Sequence, residues 1–162
     1  MWDNSVLSLL FMAIPEKIAF SLLAVVICKD IKNWKRAIVV GIVLALIMHF
    51  IRMVPDIPFG THTVTLMILA VILYRLVLDT RVVLVVRAIC TGVILIILGE
   101  TMTLLLVSNF TGLTLEEIAD TFLRILVGWP HTILLLVVAY LIFKNQQKKL
   151  SPNTRQHTIK VL

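Results

Sequence analysis

Charged residues and cysteines are both scarce in this sequence. Asp, Glu, Lys and Arg account for 15% of the 162 residues, against about a quarter in soluble domains. Hydrophobic residues account for 60%, and the mean hydropathy is +1.04. A soluble domain of this size has no means of covering so much apolar surface. The composition therefore excludes a soluble protein and predicts that lipid surrounds most of the chain.

The two cysteines, Cys28 and Cys90, are too few for a disulfide framework. Both lie near the ends of apolar segments that we assign below to the cytoplasmic side, where thiols stay reduced. We interpret them as two small apolar residues. Residues 1–4 contain no basic residue and no small-residue cleavage site follows them, so we expect no cleavable leader.

Enzyme signatures are also missing. The sequence contains no His-Glu-x-x-His, no Gly-x-Ser-x-Gly and no phosphate-binding glycine loop. Glu116 and Glu117 resemble the glutamate pair of CAAX-type intramembrane proteases, but that pattern needs an arginine where this chain has Thr121. A Cys/His peptidase is disfavoured because the cysteines and the span histidines are predicted at opposite membrane depths. No two histidines have metal-ligand spacing on one helix. We therefore expect no enzyme, no catalytic residues, no metal site and no cofactor.

Long apolar runs predict an all-α fold, a polytopic integral membrane helical bundle. A bilayer core of about 30 Å needs about 20 helical residues. About five transmembrane helices are expected within a membrane domain that covers residues 1–143, at 4–28, 34–53, 61–78, 82–107 and 122–143. A basic, loosely ordered cytoplasmic tail is expected over 144–162.

Prolines within these runs and polar segments between them refine the prediction. Pro15 and Pro130 interrupt the helical hydrogen bonding of the first and last spans, so a kink is expected at each. Residues 108–112 are predicted to form a loop. The following Thr-Leu-Glu-Glu matches a capping box, which predicts an interfacial helix start over 114–121.

The basic residues report membrane orientation. A net charge of +6 suggests nucleic-acid binding in a soluble protein, but here the charges lie mostly between and after the spans, so we expect no nucleic acid. Cytoplasmic loops of membrane proteins are enriched in Lys and Arg. The N-terminus is therefore predicted outside and the C-terminus cytoplasmic, with the basic residues inside at Lys29, Lys32, Lys35, Arg36, Arg75, Arg81, Lys144, Lys148 and Lys149.

Ionisable residues inside the apolar runs form the candidate ligand-binding site. A charge at the bilayer centre costs about 2.5 to 3.5 kcal/mol on insertion scales, so such residues face the bundle interior and pair. Glu16 is expected to pair with Arg52 or Lys17, and Glu100 with Arg124 or Arg52. Ion pairs that only tie helices together are the alternative. The predicted outward-facing polar pocket comprises Glu16, His49, Arg52, His62, Glu100, Arg124 and His131.

Two further patterns concern sensing and packing. Histidines on the outer side change charge near neutrality, which suits a pH sensor. Small residues four apart, at Gly41 and Ala45 and at Ala88 and Gly92, allow close helix approach. They serve packing within the chain or dimerisation, and the sequence leaves both open.

Short motifs in about the first eighty residues resemble the N-terminal membrane regions of Firmicutes sensor histidine kinases of the GHKL type. The motifs are Ile14-Pro15-Glu16, Trp34-Lys35-Arg36, and Arg52 followed by Pro55, Pro58-Phe59-Gly60 and His62-Thr63. The resemblance implies an input module that detects an extracellular or intramembrane signal. The chain departs from that family after Phe143, where no coiled coil, phosphoacceptor helix or ATP-binding domain follows.

These observations favour a non-enzymatic sensor or regulatory subunit of the cell (plasma) membrane, which signals through helix movement to a cytoplasmic partner. The alternatives are a small transporter or the substrate-binding subunit of one, using Glu16 beside Pro15, and a structural assembly subunit. The expected partners are the lipid bilayer and a kinase-like or ATPase protein, and a homo-oligomer is left open. A transporter needs polar residues toward the cytoplasmic side, where only Arg87 lies.

Overall fold

The computed structural model describes the backbone of residues 4–53, 61–78, 80–112 and 121–159, and side chains within 6–51, 64–78, 80–112 and 125–147. Within these residues all regular structure is helical and there are no strands, in agreement with the predicted all-α fold. The α-helices are α1 (Asn4–Ser8), α2 (Ile14–Ile27), α3 (Trp34–Met53), α4 (Thr61–Val77), α5 (Val82–Thr111) and α6 (Thr121–Ile159).

Four of these helical stretches are long and apolar enough to cross a membrane, namely Val6–Ile27, Ile31–Ile51, Val82–Thr111 and Ile125–Gln147. The apolar part of α4, Val64–Val77, is shorter. The structure thus supports a helical protein with four membrane-length helices. Five crossings, and the side that each end faces, stay predictions.

The first apolar run is helical throughout but changes its winding before Pro15. Residues Leu9–Ala13 form a π segment between α1 and α2, and the Ile14 N–H donates to the Leu9 carbonyl, five residues back. Proline has no N–H, and its ring collides with the carbonyl four residues earlier in a regular α-helix. A π segment widens the helix locally and relieves that collision. The interruption of regular helical bonding predicted at Pro15 is thus present as a π segment, whereas the kinks expected at Pro15 and Pro130 stay predictions.

The prediction of a loop over 108–112 is wrong for most of that segment. Helix α5 continues through Thr111 and ends at Gly112, which has φ 70° and donates its N–H to the Ser108 carbonyl at 2.9 Å. The Thr111 hydroxyl donates to the Val107 carbonyl at 2.7 Å. Hydroxyl side chains can bond back to the preceding turn in this way and remain in a helix. Glycine then ends it, because glycine adopts the left-handed conformation without strain.

Helix α6 extends further than the apolar pattern predicts. It is continuous through Pro130 and past Phe143, where the last span was expected to end, to Ile159. At about 1.5 Å per residue, α6 is longer than a bilayer core is thick. The predicted capping box and interfacial start over 114–121 lie outside the described residues except for Thr121.

Helix α2 lies at the centre of the bundle. Most of its residues from Glu16 to Val26 are buried, and it packs against α3, α5 and α6. Glycines of α3 and α5 lie in close contact with α2. A Cβ atom at Gly41 would lie 2.6 Å from the Lys17 carbonyl oxygen, and one at Gly92 would lie 2.8 Å from Phe20 Cδ2. The two small-residue pairs therefore serve packing within the chain.

Contacts at both ends show that α2 and α6 run in the same direction. Gly128 lies against Met12 near one end, and Gln146 Nε2 donates to the Val26 carbonyl at 2.9 Å near the other. The second end, where α2 ends and α3 begins, is called the basic end below. Exposed basic side chains next to the end of α2, the start of α3 and the neighbouring part of α6 are Lys29, Lys32, Lys35, Arg36 and Lys144.

Candidate functional site

The two prolines inside the membrane-length helices are each followed by an ionisable residue, and these two residues meet. Glu16 follows Pro15 on α2, and His131 follows Pro130 on α6. The Glu16 Oε2 atom lies 3.3 Å from His131 Nε2. Both residues are buried, and His131 is only 1% exposed. The contact therefore joins the two proline-bearing helices inside the bundle.

Lys17 completes the cluster. Its Nζ lies 2.5 Å from Glu16 Oε1, so the carboxylate has a cationic partner on one oxygen and an imidazole on the other. Of the two partners that the sequence left open for Glu16, the structure shows Lys17. A buried carboxylate is tolerated when it is paired and hydrogen-bonded. The pairing with two groups accounts for Glu16 at this depth.

The second ring nitrogen of His131 has no polar contact in the described bundle. Nδ1 is buried and has no hydrogen-bond partner among the described residues. When Nε2 donates its hydrogen to Glu16, Nδ1 is the acceptor of a neutral ring. The imidazole then bonds to the carboxylate through one nitrogen and has an unused acceptor on the other.

A second polar contact lies on the neighbouring turn of α2. The Ser21 hydroxyl donates to the Lys17 carbonyl at 2.7 Å, and it lies 2.6 Å from the Tyr74 hydroxyl of α4. Both side chains are fully buried. Neither residue was predicted from the sequence as part of a site. The available signal was that Ser21 and Tyr74 are hydroxyl residues within apolar runs predicted to lie at similar depth.

The other predicted site residues do not join this cluster within the described part of the structure. His49 is half-buried on α3, with its ring 6.2 Å from that of Phe50. Glu100 is exposed on α5, although a Cβ atom at the preceding Gly99 would lie 2.6 Å from His131 Cβ. The side chains of Arg52, His62 and Arg124, and the pairings predicted for them, lie outside the described residues. Of the predicted pocket, the structure brings Glu16 and His131 together.

A small apolar cavity lies beside the cluster. It has a volume of about 40 Å³ and is lined by Lys17 together with residues of α2, α3, α4 and α5, among them Phe20, Leu44, Met67 and Ile89. One water needs about 10 to 15 Å³ of such space and several polar partners. The cavity is large enough for water. Its lining, however, offers a water one ionisable residue, Lys17, among apolar side chains.

The cysteines and the possible metal ligands add no second site. Burial, and then the charge of Asp30, raise the pKa of the Cys28 thiol to about 11, so the thiol stays protonated and unreactive near neutral pH. Among the residues that the structure describes, no three His, Cys, Asp or Glu side chains lie close enough to hold a metal ion.

Comparison of the chain with known protein families, with characterised proteins and with solved structures finds no match. The function must therefore be inferred from the site itself.

Proposed function

We propose that this protein is a non-enzymatic membrane sensor or regulatory subunit whose input site is the cluster of Glu16, Lys17 and His131. The observation that supports this most is the 3.3 Å contact between Glu16 on α2 and His131 on α6. Ionisable residues inside a membrane protein are functional candidates by default. This contact joins two helices whose regular hydrogen bonding is interrupted by the residue immediately before the ionisable group.

The proposed mechanism is a shift of α6 relative to α2 when the input site changes charge. Uptake of a proton by His131 leaves the cluster with an excess positive charge, which is costly in an apolar interior and favours access to water. The π segment before Pro15 and the missing N–H of Pro130 make small rearrangements of these two helices easier. Acidification is therefore expected to separate the helices near the cluster.

The output would be carried by the far part of α6. That helix continues beyond its apolar run, which ends at Phe143, to Ile159. At the basic end, Gln146 bonds to the Val26 carbonyl of α2, so a displacement of α6 alters a defined contact there. A cytoplasmic partner, such as a kinase-like or ATPase protein, is proposed to detect this change.

The proposal includes the orientation expected from the basic residues, with five crossings in the plasma membrane, the N-terminus outside and the basic end in the cytoplasm. Glu16 lies eleven residues before the end of α2 at Ile27, or about 16 Å at 1.5 Å per residue. In a core of about 30 Å this depth is near the middle, slightly toward the outer side. The site would then be accessible to an external signal.

A small transporter, or a substrate-binding subunit of one, is the second candidate. The observation that favours it is the π segment next to Pro15 and Glu16, since transporters place their sites at interrupted helices near the midplane. Toward the basic end, however, the polar groups next to the cluster are the paired hydroxyls of Ser21 and Tyr74, and apolar residues such as Leu23 are fully buried beside them. This mostly apolar packing favours the sensor. A structural assembly subunit remains the third candidate.

The distance between α2 and α6 near the cluster tests the sensor proposal. Spin labels at Leu10→Cys and Leu126→Cys, both exposed positions, would be placed in a Cys28→Ala, Cys90→Ala background and measured by double electron–electron resonance in lipid nanodiscs. Between about pH 8 and pH 5, the range in which imidazole changes charge, we expect the distance to increase by about 2 Å. Glu16→Gln and His131→Gln should abolish the change.

Glu100→Gln is the matched control, because it removes an exposed intramembrane carboxylate that does not contact His131. It should retain the pH-dependent distance. A distance that does not change with pH, or that changes equally in the Glu16→Gln variant, would contradict the proposed input site. The same proteins in liposomes loaded with a pH-sensitive dye separate the two candidates, because Glu16-dependent proton uptake would favour the transporter.

A further inference from the structure

An apolar groove lies on the surface of the bundle at the basic end, between α2 and α6. It has a volume of about 370 Å³ and is open along one side. Its lining includes Leu22 and Val26 of α2, Trp34 at the start of α3, and Leu136, Tyr140 and Phe143 of α6. One water needs about 10 to 15 Å³ of such space, so the groove is much larger than a water site. Its size and its apolar lining suit a segment of an acyl chain.

Basic residues adjoin the lining of this groove in the sequence at the basic end. Lys32 lies between two lining residues in the sequence, Lys35 Nζ lies 5.7 Å from the centre of the Trp34 ring, and Lys144 follows Phe143 directly. All three lysines are exposed. Asp30 lies in the same connection, where Asn33 Nδ2 donates to its carboxylate at 2.9 Å. The groove thus has an apolar lining along its length and positive charge next to it at the basic end, which is called its mouth below.

From this arrangement we propose that the groove binds one anionic phospholipid of the leaflet at the basic end. An acyl chain lies along Leu22, Leu136 and Tyr140, and the headgroup phosphate contacts Lys32, Lys35 and Lys144. Trp34 is 43% exposed and lies at the mouth, which matches the interfacial depth that tryptophan prefers. Basic pockets between transmembrane helices recognise anionic headgroups in this way.

Charge complementarity favours a lipid over a second protein helix at this position. A phospholipid is apolar along one part and anionic at one end, and the groove has the same division. A helix docked along the groove would cover the apolar lining but would leave three neighbouring lysines without an anion. The proposal needs only that the basic end lies at a membrane surface. It does not depend on the sensing function proposed for Glu16 and His131.

Native mass spectrometry of the purified full chain with added lipid tests the proposal. Phosphatidylglycerol and phosphatidylcholine with identical acyl chains are titrated in the same detergent. We expect one phosphatidylglycerol per chain to bind at least tenfold more tightly than phosphatidylcholine. Removal of a single lysine should weaken phosphatidylglycerol binding about fivefold. The triple variant Lys32→Gln, Lys35→Gln, Lys144→Gln should lose the preference for phosphatidylglycerol. Leu136→Trp, which fills the groove, should weaken both lipids.

Matched controls separate a built site from general surface charge. Arg75→Gln with Arg81→Gln removes two exposed positive charges that do not line the groove, and Leu98→Trp enlarges an exposed leucine of α5. Both should retain the preference for phosphatidylglycerol. Equal binding of the two lipids, or a preference that survives the lysine substitutions, would overturn the proposal. So would equal loss in the arginine variant, or a dimer that forms in place of lipid binding and is abolished by Leu136→Trp.

Discussion

At the scale of single residues, the buried hydroxyl contact between α2 and α4 has a defined direction. The Ser21 hydroxyl carries one hydrogen, and it donates this hydrogen to the Lys17 carbonyl. The Tyr74 hydroxyl, 2.6 Å away, must therefore donate to the Ser21 oxygen. Removing the Ser21 hydroxyl leaves the buried Tyr74 hydroxyl without an acceptor. Removing the Tyr74 hydroxyl leaves Ser21 with its bond to the Lys17 carbonyl.

We therefore predict that Ser21→Ala destabilises the protein more than Tyr74→Phe does. An unpartnered buried hydroxyl costs about 1 to 3 kcal/mol, whereas loss of one hydrogen bond costs about 1 kcal/mol. The double variant should be more stable than Ser21→Ala alone, because it has no orphaned donor. The measurement is the free energy of unfolding in detergent, with unfolding monitored by tryptophan fluorescence. Tyr140→Phe, at an exposed position, should have little effect, and additive losses in the double variant would contradict the assigned direction.

At the scale of helices, α2 is held in the bundle by close backbone approach from its neighbours. Gly41 of α3 faces the Lys17 carbonyl, and Gly92 of α5 faces Phe20. Lys17 is also a member of the ionisable cluster. The packing of α2 against α3 therefore occurs at a residue of that cluster.

Gly41→Ala is predicted to destabilise the bundle by about 1 to 3 kcal/mol, the usual cost of overpacking. The new Cβ atom would lie 2.6 Å from a backbone oxygen, which no side-chain rotation can move away. Gly128→Ala is the matched control, because its Cβ atom would meet the end of the flexible Met12 side chain at 3.0 Å. Thermal unfolding monitored by fluorescence-detected size exclusion compares the two. Equal stability of both variants would show that α2 and α3 do not need this close approach.

At the scale of the whole molecule, the open question is whether α4 crosses the membrane. The apolar part described for α4 is shorter than the four membrane-length helices, yet an odd number of crossings is needed to place all the basic connections on one side. The helix lies within the bundle and bonds to α2 through Tyr74. Five crossings with the N-terminus outside follow if α4 spans the bilayer.

Cysteine labelling of intact cells with a membrane-impermeant maleimide tests this topology. Single variants Asp56→Cys, Lys32→Cys and Arg81→Cys would be made in the Cys28→Ala, Cys90→Ala background. We expect the Asp56→Cys variant to be labelled from outside, and the other two only after permeabilisation. Labelling of both Asp56→Cys and Arg81→Cys from outside would mean that α4 does not cross. Labelling of the Lys32→Cys and Arg81→Cys variants from outside, but not of the Asp56→Cys variant, would reverse the predicted orientation.

Particular residues show how far the sequence predicts the site. Glu16 and His131 could be predicted as site residues because a charge in lipid is energetically costly. The same argument gave Lys17 as one of two candidate partners for Glu16. It did not select Ser21 or Tyr74, because a hydroxyl can satisfy itself on its own helix and so carries little signal. The wrongly predicted loop over 108–112 has the same origin, since Thr111 bonds back to Val107 and stays helical. Local hydrogen bonding of this kind is not visible in hydropathy.

The sequence by itself determined the all-helical, membrane-type character of this protein and the interruption of regular helical bonding next to Pro15. These are local properties, set by apolar runs that must satisfy their own backbone hydrogen bonds in lipid and by the missing N–H of proline. Only the tertiary structure decided that Glu16 and His131, 115 positions apart, share a contact, and that the glycines pack against α2. Such contacts depend on which helix faces meet, and this is settled by the close packing of all the helices together.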